Sequence, residues 1–340
     1  MDKVVFIVDD SDTNLSVAEA VLEEHYNVWT MPSGKRMLAL LERVRPGVIL
    51  LDIDMPEMDG FDVLKALKED SRYRDIPVIF LTAMLDAKVE TMGFELGAVD
   101  FVSKPFSPPI LLNRVKLHVD MGAVVRENAA LIKSAHANIV FVLADIVENR
   151  SNGSTSNHVE RTGRFITLLV KAMQERGVYP DELGGLDAAM MGEASLLHDI
   201  GKINVSDVIL DKPGRLTADE FEIIKIHTVA GERIIDKVIE RTGESGFLRD
   251  AKLFAAYHHE RWDGNGYPFG LSGTDIPIQG RLMAIADVYD ALISKRPYKD
   301  PIPHAQAVDI IMSEKSRHFD PLIVDVFYDI RDQLLDNSSR

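Results

Sequence analysis

Five of the ten histidines, with two aspartates, fall where lone polar groups are out of place. They are His158, His198, Asp199, His227, His258, His259 and Asp287. The stretch HHERWDGNGYP at 258–268 sets two adjacent histidines before turn formers that suit neither a helix interior nor a strand. In TADEFEIIKIHT, a capping box at Thr217–Glu220 opens a helix on which Ile223, Ile224, Ala230 and Ile234 share a face with His227. In RLMAIADVYDALIS, Asp287 and Asp290 lie three apart on an otherwise apolar helix, and buried lone carboxylates cost several kcal/mol unless a cation meets them. Taken singly, a histidine on an apolar face is an ordinary hydrogen-bonded core residue. Seven such groups together suit metal. The chain has no cysteine, so any metal must be held by imidazole and carboxylate, a set that suits Fe, Mn, Ni or Zn. Seven donors exceed one open-sited ion and fit two, bridged by a carboxylate about 3.5–4 Å apart. Such a pair holds a phosphodiester and lowers the pKa of a water between the ions. Asp199 is the expected bridge, because on a helix its neighbour His198 would face ~100° away and serve one ion.

A second constellation is all oxygen. Asp9 and Asp10 end one β-rich run, Asp52 another and Thr82 a third, and Lys104-Pro105 follows a fourth. Converging carboxylates repel unless a cation neutralises them. Mg²⁺ accepts one or two carboxylates and keeps waters. Lysine and hydroxyl beside it suit phosphoryl transfer onto an aspartate.

The elements that must position these groups differ sharply. Up to residue 118, KVVFIV, NVWT, GVILLD, PVIFLT and VDFV read as strands alternating with helical segments such as Thr13–Glu24 and Gly34–Val44. That pattern predicts an α/β doubly wound, five-stranded parallel sheet, with its ligands at the carboxyl ends of the strands. From His158 onward the patterning is almost wholly helical. Between them an apolar 4-3 repeat runs Leu111, Val115, His118, Gly122, Val125, Ala129, Ile132, His136, Ile139, Leu143, Ile146. It predicts one helix from Ser107 to Asn149, either a two-stranded coiled coil or a helix whose second half packs on the next domain. The loop 149–157 has no apolar residue and ends it. The domains are therefore expected at 1–118, 119–149 (connector) and 150–340. A net charge of −16 argues against a partner in polymeric DNA or RNA and against docking on anionic lipid. VVFIV is followed by two aspartates and is no signal peptide. No apolar run approaches the ~18 residues of a membrane span, so the expectation is a cytoplasmic protein without membrane insertion.

Two resemblances follow from these residues. VDD at 8–10, LLDIDMPEMDG at 50–60, LTA at 81–83 and VSKPF at 102–106 resemble a response-regulator receiver domain, flavodoxin-like in fold. The resemblance implies Asp52 as phosphoacceptor for a sensor histidine kinase, Asp9 and Asp10 holding Mg²⁺, Thr82 and Phe101 as a switch pair, Lys104 on the phosphoryl group and a cis Lys104-Pro105 bond.

Residues 158–320 resemble the HD-GYP class of HD-superfamily phosphodiesterases. The matching pieces are HVERTG at 158–163, LLHDIGK at 196–202, KPGRLTADEFEIIKIHT at 212–228, HHERWDGNGYP, IADVYDAL at 285–292, RPYK at 296–299 and HFDP at 318–321. This implies an all-α domain hydrolysing cyclic di-GMP to pGpG, and onward to GMP in some members. It implies Asp199 and Lys202 as catalytic groups, with Lys202 on the scissile phosphate. Gly266, Tyr267 and Pro268 would shape the pocket, and Asp290, Arg296 and Lys299 would contact substrate. Where many members carry glutamate four residues before the first histidine, this chain has Ser154, which predicts two metals rather than three. The pattern also fits a homodimeric regulator. A catalytically weak dinucleotide sensor working through protein partners is the alternative. Glu260 and Asp263 are expected to stabilise the loop, and His304 and His318 to be structural.

Overall fold

The computed structural model describes residues 3–83, 87–150, 158–212, 214–295 and 300–335. It divides into two units, residues 1–133 and 134–340.

The first unit is built on β1 (Val4–Val8), β2 (Asn27–Met31), β3 (Val48–Asp52), β4 (Val78–Thr82) and β5 (Asp100–Ser103), all parallel in the order β2-β1-β3-β4-β5. The central strands are apolar up to the Asp52 and Thr82 that end β3 and β4, because both faces are covered. Phe6, Val8, Ile49, Leu51 and Phe80 join one core cluster. Val5, Ile7, Leu50, Ile79 and Leu81 join the other. The covering helices are α1 (Asp12–Leu22), α2 (Gly34–Leu41), α3 (Gly60–Glu69), α4 (Ala87–Glu95) and the start of α5 (Pro108–Glu148). Gly60 must lack a side chain, since a Cβ there would sit 2.4 Å from the Asp52 carbonyl oxygen.

The expected long helix is present as α5, 41 residues without a break. Leu111, Val115 and Val119 are buried in the first unit's core, and Val140 and Ala144 in the second's. The 4-3 repeat mostly lies off these faces: Val125, Ile132, Ile139, Leu143 and Ile146 are exposed. His118 departs from the expectation of an exposed or seam position. Its Nε2 lies 3.0 Å from the buried Asp100, which Arg114 also contacts at 2.9 Å, so a hydrogen bond to that carboxylate draws it onto the sheet's end. The expectation that nothing has the length and apolarity of a membrane span also needs correction. An 18-residue window of α5 has mean hydropathy 1.6, enough to cross a membrane by length and composition alone. Scattered Asn, Ser and His interrupt its apolar runs without lowering the average far.

The second unit is helical: α6 (His158–Glu175), α7 (Pro180–Leu183), α8 (Ala188–Ser195), α9 (Asp207–Leu210), α10 (Ala218–Thr242), α11 (Gly246–Tyr257), α12 (Ile278–Ile293), α13 (His304–Ser313) and α14 (Pro321–Leu335). Its core gathers Ile166, Leu169, Met191, Phe254, Leu282, Ile285 and Phe327. The capping box opens α10 as expected: the Thr217 hydroxyl accepts from the Glu220 N–H, and the Glu220 carboxylate accepts from the Thr217 N–H. Ile223 is exposed, contrary to the shared-face expectation. The inward stripe of α10 is His227, Thr228, Ala230, Gly231 and Ile235, because the first turns of the helix stand clear of the core.

Candidate metal centre and phosphoryl site

At the carboxyl ends of β1 and β3, Asp9, Asp10 and Asp52 come close enough to share a cation. Asp9 and Asp52 are buried and Asp10 is exposed. Lys104 Nζ lies 2.6 Å from both Asp9 Oδ2 and Asp52 Oδ1, and the Lys104-Pro105 bond is cis. Burial pushes the Asp52 carboxyl above its ordinary value, more strongly than the Lys104 ammonium draws it down. Burial opposes charge on Lys104 too, but its hydrogen bonds to Asp52 and Asp9 prevail and raise it. Thr82 and Phe101 are buried, the Phe101 ring packing 5.5 Å from Phe80 and 5.0 Å from Phe94.

In the second unit the seven candidate ligands come from four helices and a turn. His158 opens α6, His227 lies on α10, His258 caps α11 with His259 after it, and Asp287 is on α12. His198 and Asp199 are not helical. They occupy the turn between α8 and a three-ten segment, Ile200–Asn204. The ~100° helical argument for the bridge therefore does not apply. Asp199 is nevertheless central. Its Oδ2 lies 3.2 Å from His198 Nε2, and its Oδ1 lies 3.3 Å from His227 Nε2 and 3.7 Å from His258 Nε2. It stands between two potential ligand groups, His158–His198–Asp287 and His227–His258–His259. Close backbone approach makes this possible. A Cβ on Gly201 would sit 1.9 Å from the His227 carbonyl oxygen, so only glycine lets α10 press against the turn.

The ring nitrogens are oriented as ligands require. His198 Nδ1 donates to the Ser195 carbonyl, His227 Nδ1 to Ile224, and His258 Nδ1 to Phe254 and Ala255. His158 Nδ1 donates to Asp290 at 2.6 Å. Each bond fixes a tautomer that leaves Nε2 as a lone-pair donor facing inward. The His227 and His258 Nε2 atoms are 3.1 Å apart, a repulsive pair unless a cation or proton lies nearby. His198 Nε2 and Asp199 Oδ1 are buried without a hydrogen-bond partner. Buried polar atoms are normally satisfied, and an imidazole–carboxylate donor set with orphaned donors fits first-row divalent metals. Burial keeps His227 and His258 below the ordinary imidazole value and His259 down at about 4, in the neutral ligand form. Burial works against charge on His198 as well, but Asp199 outweighs it and lifts the ring to about 9, so a metal at its Nε2 would displace a proton.

The other expected contacts divide. Lys202 Nζ lies 2.6 Å from Asp199 Oδ2. Tyr267 packs its ring 4.7 Å from His259, and the bond to Pro268 is cis. Gly266 has a packing role: a Cβ would fall 2.3 Å from the Arg261 nitrogen. Asp290 lies beside His158. It is buried, and its oxygens accept from His158, from Arg161 Nε at 2.5 Å and Nη2 at 3.0 Å, and from Ser294. Its bond to His158 Nδ1 is of the kind that orients a ligand ring. Arg296, Lys299 and Ser154 lie outside the described residues. Glu260 is buried and accepts from the N–H groups of Phe269, Gly270 and Leu271. Asp263 accepts from the Asn265 N–H. Both thus tie the loop as expected. His304 pairs with Tyr289, and His318 stacks on Phe319.

Sequence reasoning missed three groups. Arg161 stands one turn beyond His158 and was findable by that spacing. Phe221 and Lys225 flank Tyr267, Lys225 lying 4.9 Å over the Phe221 ring and 5.5 Å over the Tyr267 ring. Glu148 places Oε2 3.1 Å from Lys202 Nζ across fifty-four positions, and no local pattern announces that pairing.

A model described as a response regulator receiver domain matches residues 5–116, and one described as an HD domain matches 142–323. A probable cyclic di-GMP phosphodiesterase of Vibrio cholerae is 40% identical over 339 residues, 95% of this chain and 76% of that one. The cyclic di-GMP phosphodiesterase response regulator RpfG of Xanthomonas campestris is 32% identical over 347 residues, 97% of this chain and 88% of that one. A 3'3'-cGAMP-specific phosphodiesterase of Vibrio cholerae is 40% identical over 204 residues, 60% of this chain and 36% of that one. With the acidic cluster on the sheet and the histidine cluster among the helices, these matches establish that the chain belongs to the response regulators in which a receiver domain is followed by an HD domain.

Proposed function

We propose that this protein hydrolyses cyclic di-GMP to pGpG at a two-metal centre, under control of phosphorylation at Asp52 by a sensor histidine kinase. The observation that carries the reading is the convergence of His158, His198, His227, His258, His259 and Asp287 around Asp199, with the outer ring nitrogens of four histidines already committed. Iron or manganese suits that donor set, with nickel and zinc as the other candidates, and Mg²⁺ suits the all-oxygen receiver site. Two divalent ions would polarise the phosphodiester and make water a nucleophile at neutral pH. The chain's own residues do the remaining work. Asp199 bridges the two ligand groups. Lys202 offers a positive charge to a phosphoryl oxygen, and Tyr267, with Gly266 and Pro268 shaping its loop, walls the pocket beside His259. By family resemblance Arg296 and Lys299 grip the dinucleotide. The exposed apolar repeat on α5 supports a homodimer, and a cytoplasmic setting fits a kinase partner and a nucleotide substrate.

The test is a chromatographic assay of anaerobically purified protein supplied with Mn²⁺ or Fe²⁺. It uses cyclic di-GMP and 3'3'-cGAMP in parallel, since relatives bear both names. Conversion of cyclic di-GMP to pGpG, lost in His198→Ala/Asp199→Ala, is the expected result. Metal-loaded protein that binds the dinucleotide without turnover would make it a sensor instead. Turnover of 3'3'-cGAMP alone would reassign the substrate.

A further inference from the structure

The last turn of α5 carries a charged group that the chemistry above does not use. Glu148 is the final residue of that helix and is only 8% exposed. Its Oε2 lies 3.1 Å from Lys202 Nζ, while the same ammonium lies 2.6 Å from Asp199 Oδ2. Two residues on, Arg150 donates to the Ile203 carbonyl at 3.0 Å and to Asp207 Oδ1 at 2.7 Å. Ile203 belongs to the three-ten segment that follows Asp199, and Asp207 opens α9. The end of α5 thus holds the segment carrying Lys202 at two separate points.

A buried ammonium between two carboxylates divides its interaction between them. With Glu148 present, the ammonium that lies 2.6 Å from Asp199 Oδ2 is shared with a second carboxylate. Without it, Lys202 would pair with Asp199 alone, neutralising the carboxylate that stands between the two ligand groups. We propose that Glu148 is a positioning residue. It holds Lys202 where a phosphoryl oxygen is met and keeps Asp199 available as a metal ligand. The proposal deepens the reading of this site as a metal-dependent phosphodiesterase and rests on it.

A double-mutant cycle separates this role from simple support of the fold. Glu148→Gln keeps shape and removes charge, and Glu148→Asp keeps charge on a shorter stem. Each is combined with Lys202→Ala in the full chain. Mn²⁺ affinity is read by paramagnetic resonance titration, and turnover at saturating Mn²⁺ by product chromatography. Glu148→Gln is expected to weaken Mn²⁺ binding and lower kcat by about tenfold or more each, the scale of a lost outer-shell partner, with KM moving less than about threefold. Glu148→Asp should recover part of both. In the Lys202→Ala background, Glu148→Gln should change neither by more than about twofold. Equal losses in both backgrounds would show that Glu148 does not act through Lys202 and would overturn the proposal, as would wild-type behaviour of Glu148→Gln. If the wild type bound Mn²⁺ but left cyclic di-GMP intact, the substrate reading would fall, while the Mn²⁺ titrations would still decide the role of Glu148.

Discussion

Each unit sets a lysine between two carboxylates, and the two arrangements serve different ends. Lys104 lies between Asp9 and Asp52 at the ends of strands. Lys202 lies between Asp199 and Glu148, on a three-ten turn and a helix end. Around Lys104 the remaining ligand candidates are oxygens, with Asp10 exposed to meet a hydrated hard ion. Around Lys202 they are chiefly imidazoles with fixed tautomers, a donor set for transition metals. The central carboxylates diverge accordingly. Burial raises Asp52 despite its lysine, and a more basic carboxylate is the better nucleophile toward a phosphoryl donor. Burial would raise Asp199 too, but Lys202 and His198 prevail and hold it well below the ordinary range, so it stays ionised as a ligand must. One ion-pair plan thus leaves a carboxylate more basic or less, according to how many further cations face it.

The contrast can be broken at several points. The largest effect is expected from His198→Ala/Asp199→Ala. It should lower cyclic di-GMP turnover by on the order of a thousandfold and abolish tight Mn²⁺ binding, since it removes a terminal ligand and the bridge together. Retained turnover would show that the cluster is not the centre. Asp290→Asn comes next. It keeps the shape of the group but weakens the hold on His158 Nδ1, and should cost about 10–100-fold in metal affinity or rate. An unchanged Mn²⁺ titration would return Asp290 to the role of substrate contact. Gly201→Ala tests the turn itself. Its Cβ would meet the His227 carbonyl, and overpacking of this kind costs about 1–3 kcal/mol. A melting temperature several degrees lower is expected, and an unchanged melt would mean that the turn yields. Asp52→Asn should leave the histidine site intact while removing any change in turnover caused by beryllofluoride. A response that persisted would locate control elsewhere. The smallest chemical effect belongs to Ile132→Asp/Ile139→Asp on the exposed face of α5. It should shift sedimentation toward monomer, with metal binding per chain unaltered.

The sheet was readable because its signals are local: apolar runs punctuated by turns, each ending on a group the site needs. The histidines were readable by type, since residues such as His227 have no place on an apolar stripe without a task. What escaped was long-range or depended on backbone detail. The hydrogen-bond partners of Asp290 turned on which way one helical position faced. The geometry of Asp199 came from a turn rather than the helix that the sequence suggested. Glu148 pairs with Lys202 across fifty-four positions, and no periodicity spans that interval. The α5 repeat was legible as a pattern, but not which of its faces the cores would take.

The middle of α5 has a further consequence. From Val124 to His136 every residue is exposed, Val125, Leu131 and Ile132 among them. No core covers this stretch, and a helix of that length is marginal in water unless its apolar side is covered. Its backbone amides should therefore exchange with solvent far faster than those of the same helix where Val115 or Val140 is buried. Lowering the protein concentration should speed that exchange further if a second chain supplies the cover, so the deuterium uptake of thirteen residues becomes a gauge of assembly.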